Sequence, residues 1–189
     1  TLLMDIRRQH WSPQLCELFG IPLSMLPEIK PSAGLNLRLN NGLILQASVG
    51  DQSAALVASV SEDRAEALAN LGTGCFVVRY LPDEQFTLDG YLRTLVYQDS
   101  AQHAHFAIEG TLNSISVALA PYPVGECRAE DLALDDIYCL AEPSGLGAPY
   151  FRGNIGIRFS RPVEHLTQRQ VVSLLLEAVI FRVAQILED

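Results

Sequence analysis

Leucines at positions 35, 37 and 39 alternate with polar residues, Asn40-Asn41-Gly42 follows them, and an extended apolar run continues over 43–49. Alternation with period two puts apolar side chains on one face of a strand, and Asn-Gly tolerates the positive φ of a tight turn. The pattern therefore predicts a hairpin or two neighbouring strands. Near the other end, Val171, Leu175, Val179, Val183 and Ile186 recur at three- and four-residue intervals behind Thr167-x-x-Gln170, which has the form of a capping box. This predicts a helix over 167–187 with a broad apolar face, leaving Glu177 and Arg182 at its margins. Ser12-Pro13 opens a short helix over 13–19, because Ser caps free N–H groups and Pro at the first helical position forfeits no hydrogen bond. Gly20 ends it, and Pro22, Pro27 and Pro31 keep the following chain irregular. Further helices are predicted over 62–69 and 111–120, and further strands over 76–78, 91–97 and 105–108, with a hairpin between 81 and 90. A turn-rich surface excursion over 121–136, a short buried strand over 137–140 and a rigid loop from Pro143 to Tyr150 complete the reading. Strands mixed with helices, one of them long enough to lie on a sheet, predict α/β or α+β layering.

Composition narrows the possible partners. Thirteen basic residues against 22 acidic ones give a net charge of −9 over 189 residues. Such a surface repels polyanions, so neither nucleic acid nor an anionic membrane is an expected partner. No uninterrupted apolar run approaches the roughly 18 residues of a bilayer span, and no signal peptide opens the chain, so a cytoplasmic location is expected. Cys16, Cys75, Cys127 and Cys139 are widely spaced and read as buried free thiols. His103 and His105 alternate as two same-face strand residues do, but the sequence shows no carboxylate or thiol beside them, and no metal site is expected. Thr1 leads straight into apolar residues and Asp189 follows a helical pattern directly, as in a piece of a longer chain.

Two short stretches carry candidate chemistry. Gly50-Asp51-Gln52-Ser53 stands at a strand-to-helix corner. An acidic residue there caps a helix, or it lies where open α/β sheets bind ligands, at the carboxyl end of a strand. Gly72-Thr73-Gly74 is a tight turn feeding a strand, and its glycines and hydroxyl also suit close approach to an anion. Glu109 reads as a strand-end charge.

Several of these pieces together resemble the FGGY carbohydrate kinases, and within them the glycerol kinase branch. The resemblance rests on motifs in the family's order: Trp11-Ser12-Pro13-x-Leu15, Gly20-Ile21-Pro22, Met25-Leu26-Pro27-Glu28-Ile29, Gly50-Asp51-Gln52-x-Ala54-Ala55-Leu56 and Gly72-Thr73-Gly74-Cys75-Phe76. Phe106-Ala107-Ile108-Glu109-Gly110, Gly145-Leu146-Gly147-Ala148-Pro149-Tyr150 and Arg152-Gly153 continue it. It implies an α/β, ribonuclease-H-like (actin-like ATPase) fold, present incompletely: the end of the first, substrate lobe over 1–53 and a truncated second, nucleotide-binding lobe over 54–189. It implies ATP and Mg2+ as cofactors of the complete enzyme, a polyol or sugar as substrate, with glycerol first, and a homo-oligomer. By position, Asp51 is the general base toward the attacking hydroxyl, Gln52 contacts the polyol and Phe76 packs on its carbons. Gly72, Thr73, Gly74 and Ser116 fall to the nucleotide.

The departures have consequences of their own. Ser116 and Ala120 stand where the family has a Gly and a Gln that contact the nucleotide. No segment matches the family's Asp-Gly-Thr phosphate loop, its Arg-Glu pair or its Gly-Gly-x-x-x-Asn adenine segment. The 189-residue chain alone is therefore expected to phosphorylate nothing. The alternative reading is a degenerate relative that keeps the fold as a non-catalytic binding or regulatory module.

Overall fold

The computed structural model describes residues 2–61, 66–81, 83, 85–133 and 136–189. The chain divides into two compact units, Thr1–Val57 with Thr94–Ala107, and Ala58–Arg93 with Ile108–Asp189.

In the first unit β1 (Met4–Asp5) pairs antiparallel with β2 (His10–Trp11). The Ser12 hydroxyl accepts the N–H of Leu15, and Pro13 starts α1 (Pro13–Leu18), one residue shorter than predicted. The indole of Trp11 donates to the carbonyl of Pro27 at 2.7 Å, which secures the proline-rich stretch. The predicted hairpin is present as β3 (Ala33–Arg38) and β4 (Ile44–Ala47), antiparallel, with Leu37 opposite Leu45 and an irregularity between Ala33 and Leu37. Its turn closes through Gly42, whose φ of 85° is one that glycine adopts readily. The helix α2 (Asp51–Ser59) begins soon after β4 and is anchored by the buried Leu56.

The largest sheet runs in the order β5 (Leu68–Leu71), β6 (Cys75–Tyr80), β8 (Ala104–Leu112), β7 (Leu92–Gln98). The far ends of β7 and β8 group with the first unit and their bases with the second. Alternation along β6 turns Cys75 and Val77 into one core, where they meet Leu112, Ile115, Val179 and Ile186. A second cluster joins Ala118, Ala141, Val171, Leu175 and Ala178. The long helix α4 (Gln168–Glu188) contributes residues to both clusters. The Thr167 N–H donates to Gln170 Oε1 at 3.0 Å and the Gln170 N–H donates to Thr167 Oγ1 at 3.3 Å, the reciprocal pair that the sequence predicts. By length and mean hydropathy, 1.8 over its most apolar window, α4 could cross a membrane, but half of that window is buried in the fold, as in a core helix.

Several expectations are corrected here. Of the helix predicted over 62–69, residues 62–65 lie outside the described residues, and Leu68 and Ala69 belong to β5. Antiparallel pairing across the glycine turn, Leu68 with Val78 through Leu71 with Cys75, overrides the helical preference of Ala and Leu. The helix predicted over 111–120 is only α3 (Ile115–Leu119), because β8 extends to Leu112 and Ser114 takes a left-handed φ of 54° between the two. For the same reason Glu109 lies inside β8 and not at its end. No strand occurs among the described residues between 81 and 90. The strand predicted over 137–140 is reduced to β9 (Cys139–Leu140), paired antiparallel with β10 (Arg158–Phe159). The described part of the excursion, 121–133, is docked onto α4: Arg169 Nε donates to Asp131 at 2.9 Å, and the Ala133 N–H donates to Glu177 Oε1 at 2.6 Å. Glu177 and Arg182 are therefore not marginal but buried.

Candidate functional site

The acidic corner belongs to the first unit. The carbonyl of Gly50 accepts the Ala54 N–H at 2.8 Å, so Gly50 holds the cap position and Asp51 is the first residue of α2. Gly50 thus holds the backbone cap position, while the Asp51 side chain still serves a free N–H of the first helical turn. Its Oδ1 accepts the N–H of Gln52 at 2.9 Å, and both residues are exposed. This bond orients the carboxylate at the helix N-terminus, where negative charge complements the helix dipole.

The glycine turn belongs to the second unit. Leu71 pairs with Cys75, so Gly72-Thr73-Gly74 forms the tip of the β5–β6 hairpin, closed by the Gly72 N–H donating to Gly74 O at 2.8 Å. A Cβ on Gly74 would lie 2.8 Å from the carbonyl oxygen of Leu112, so glycine is what lets this tip approach the end of β8. The carbonyl of Thr73 then accepts two bonds from α3, from the Ser116 N–H at 3.2 Å and from the Ser116 hydroxyl at 3.1 Å. Gly72, Thr73, Gly74 and Ser116 are thereby brought together. Phe76 stands two residues along β6, on the face opposite Cys75 and Val77, and is half-buried.

The sequence reading missed a buried charge pair in the second unit, Glu142 and Arg182, joined through Arg182 Nε at 3.0 Å. Its signal was present: Arg182 interrupts the apolar stripe between Val179 and Ile186, and a cation on such a stripe needs a buried partner. Asp99 was also missed. Its Oδ2 lies 3.5 Å from His103 and 3.6 Å from His105, so a carboxylate does stand beside the two histidines. The backbone N–H of His103 foremost, with the two imidazoles, holds the Asp99 carboxyl below its usual range. His105 stacks on Tyr97 with ring centroids 4.2 Å apart. Among the described residues no group of three or more His, Cys, Asp or Glu could hold a metal ion. All four cysteines are free, Cys16 and Cys75 buried and Cys127 and Cys139 partly so. Burial, then the charge of Glu142, pushes the Cys75 thiol up to about 11, and burial pushes Cys139 up to about 12, so neither is a ready nucleophile.

Two solved structures define the fold. A crystal structure of Plasmodium falciparum glycerol kinase with ADP superposes with a TM-score of 0.77 at 22% identity, over 100% of this chain and 41% of that one. A ligand-bound xylulose kinase from Lactobacillus acidophilus follows with a TM-score of 0.62 at 17% identity, over 95% of this chain and 40% of that one. The fold is the actin-like, ribonuclease-H-like fold of the sugar kinases, present in part. In sequence, a glycerol kinase of Saccharolobus islandicus is 30% identical over 208 aligned positions, covering 100% of this chain and 40% of the relative. A glycerol kinase of Corynebacterium efficiens is 38% identical over 119 residues, 60% of this chain and 23% of the relative. The similarity to glycerol kinases therefore runs the whole length of the chain, which spans about 40% of the relatives that match it throughout. No model of a known protein family matches the chain.

Proposed function

We propose that the chain is part of an ATP-dependent kinase that phosphorylates a hydroxyl of a polyol or sugar, with glycerol as the first candidate. One observation carries the reading: the alignment with glycerol kinases covers the whole chain, and within the chain the Gly50-Asp51-Gln52 corner stands at the start of a helix with an exposed carboxylate. Residues 1–53 are proposed as the end of the substrate lobe and 54–189 as the nucleotide lobe, a boundary inside the first turn of α2. The complete protein is proposed to work in the cytoplasm as a homo-oligomer, without nucleic acid or membrane as partner.

Phosphoryl transfer asks a protein to align a nucleophile and to neutralise charge. Asp51 accepts the proton of the attacking hydroxyl at its Oδ2, while Gln52 N–H holds Oδ1. The Gln52 amide bonds a neighbouring hydroxyl. Thr73 presents its hydroxyl and the backbone of the glycine turn to the nucleotide phosphates, with Ser116 bracing the turn from behind. Mg2+ is proposed to accompany the nucleotide, and among the described residues no group of three or more His, Cys, Asp or Glu could hold it. When bound, it would supply charge neutralisation at the phosphates.

The test is ADP release by the natural gene product carrying this chain, with ATP and a panel of polyols and sugars. Asp51→Asn is expected to lower kcat by about 10²- to 10⁴-fold with little change in nucleotide affinity. An unchanged kcat removes Asp51 as the base, and no release with any substrate removes the kinase reading.

A further inference from the structure

Glu142 is 2% exposed, and its carboxylate bonds to three separate places in the second unit. Its Oε2 accepts the Asn113 N–H at 2.8 Å and the Gly147 N–H at 2.7 Å, while Oε1 accepts Arg182 Nε at 3.0 Å. Arg182 is 9% exposed and donates further to Gln185 Oε1 at 2.5 Å and to the carbonyl of Ala148. Its guanidinium also lies over the Tyr150 ring, 5.3 Å from the centroid. A buried ion pair persists only when each partner's remaining bonding capacity is met, and here it is met largely by backbone groups. The pair therefore ties α4, the loop 145–150 and the end of β8 to one another. Gly147 must be glycine for this, since a Cβ there would collide with the carbonyl of Thr111.

What the pair holds is a strained corner. Asn113 is followed by Ser114 in the left-handed region, a conformation that persists in serine only where the surroundings enforce it. The surroundings are the Glu142 bond to the Asn113 N–H, the Asn113 amide donating to Gly145 O at 3.1 Å, and Ser114 Oγ at 2.5 Å from Ser144 Oγ. That corner launches α3, whose second residue, Ser116, grips the Thr73 carbonyl with both of its donors. Glu142 thus connects to the glycine turn through Asn113, Ser114 and Ser116, with no gap.

We propose that Glu142 and Arg182 are a positioning pair: the clamp they form fixes the Ser114 corner and, through Ser116, the orientation of the Thr73 turn toward the nucleotide phosphates. The last clause rests on the function proposed above; the mechanical part does not. Packing alone would be served equally by apolar side chains of similar volume, whereas only an acceptor at position 142 satisfies the two buried N–H groups.

Amide hydrogen exchange on the natural gene product separates these roles. Glu142→Met, alone and with Arg182→Met, keeps the volume but removes the acceptor, and Glu142→Gln keeps an acceptor oxygen. Exchange of the segments 112–117 and 70–75 is expected to rise at least tenfold in both Met variants, and to stay within about threefold in Glu142→Gln. If Glu142→Met fails to fold, Arg182→Lys, which keeps the charge but loses the planar fork, carries the same comparison. Exchange that rises at 112–117 but not at 70–75, or evenly across the whole second unit in every variant, overturns the proposal. In the kinase assay the KM for ATP is expected to rise at least tenfold in Glu142→Met, with the KM for glycerol within twofold, and equal rises in both overturn the positioning role. Thr73→Ala tests the underlying reading separately: if it leaves the KM for ATP unchanged, the phosphate assignment fails while the exchange result still decides the clamp.

Discussion

Glu109 shows how one side chain's setting translates into stability. It lies within β8, half-buried, and burial raises its carboxyl above the ordinary glutamate range. The folded state then holds the proton more tightly than the unfolded chain does, so stability falls as pH rises from the unfolded value, about 4.3, through the raised folded value. Above that window the cost of a buried charge persists. Glu109→Gln removes the titration and is expected to be more stable than the parent at pH 7, with the difference vanishing near pH 4. Urea midpoints at the two pH values check it, and no gain at pH 7 would count against the burial argument. The same scale explains which parts of the candidate site could be read beforehand. Asp51 with Gln52, and Thr73 between its glycines, are contiguous motifs whose chemistry travels with the sequence. Ser116 meets Thr73 from 43 residues away, and Glu142 meets Arg182 from 40, so local pattern could show only that Arg182 sat where a cation needs a partner.

At the scale of elements, α4 does most of the work of holding the second unit. It supplies residues to both core clusters, and its N-terminus is closed by a reciprocal pair of bonds. Leu175 is fully buried, so Leu175→Ala is expected to cost about 2–5 kcal/mol through lost contacts and a cavity. Thr167→Ala removes only the cap and is expected to cost about 1 kcal/mol. Urea unfolding of both variants checks the order, and a larger effect of the cap would mean that α4 is held mainly by its end. The pair β5 and α3 teaches the complementary point. The sequence near β5 has the composition of a helix and becomes a strand because β6 lies beside it. The sequence before α3 could continue a helix backwards, but β8 claims it as far as Leu112.

At the scale of the molecule, large apolar side chains remain on the surface of each unit: Leu43 at 63% and Ile44 at 51% exposure in the first, Phe181 at 55% in the second. Where such side chains gather into a contiguous patch, association is favoured. The chain corresponds to about 40% of the length of its full-span relatives. The 189-residue chain by itself is therefore expected to release no ADP from ATP and glycerol, and to associate with rising concentration in sedimentation. ADP release that disappears in Asp51→Asn would overturn the first expectation, and a monomer at all concentrations the second.

By itself the sequence determined the β3–β4 hairpin, the long capped helix and the order of motifs that places the chain beside the glycerol kinases. Each is written locally, as a period, a turn or a short run of residues, and needs no knowledge of what lies nearby in space. Only the tertiary structure decided that residues 68–71 form a strand, that β8 runs on to Leu112, that Ser116 braces Thr73, and that a buried Glu142–Arg182 pair ties three segments together. The reason is one of magnitude. Helix preferences among ordinary residues differ by less than about 0.7 kcal/mol, whereas a neighbouring strand or a buried partner contributes several hydrogen bonds and buried surfaces at once.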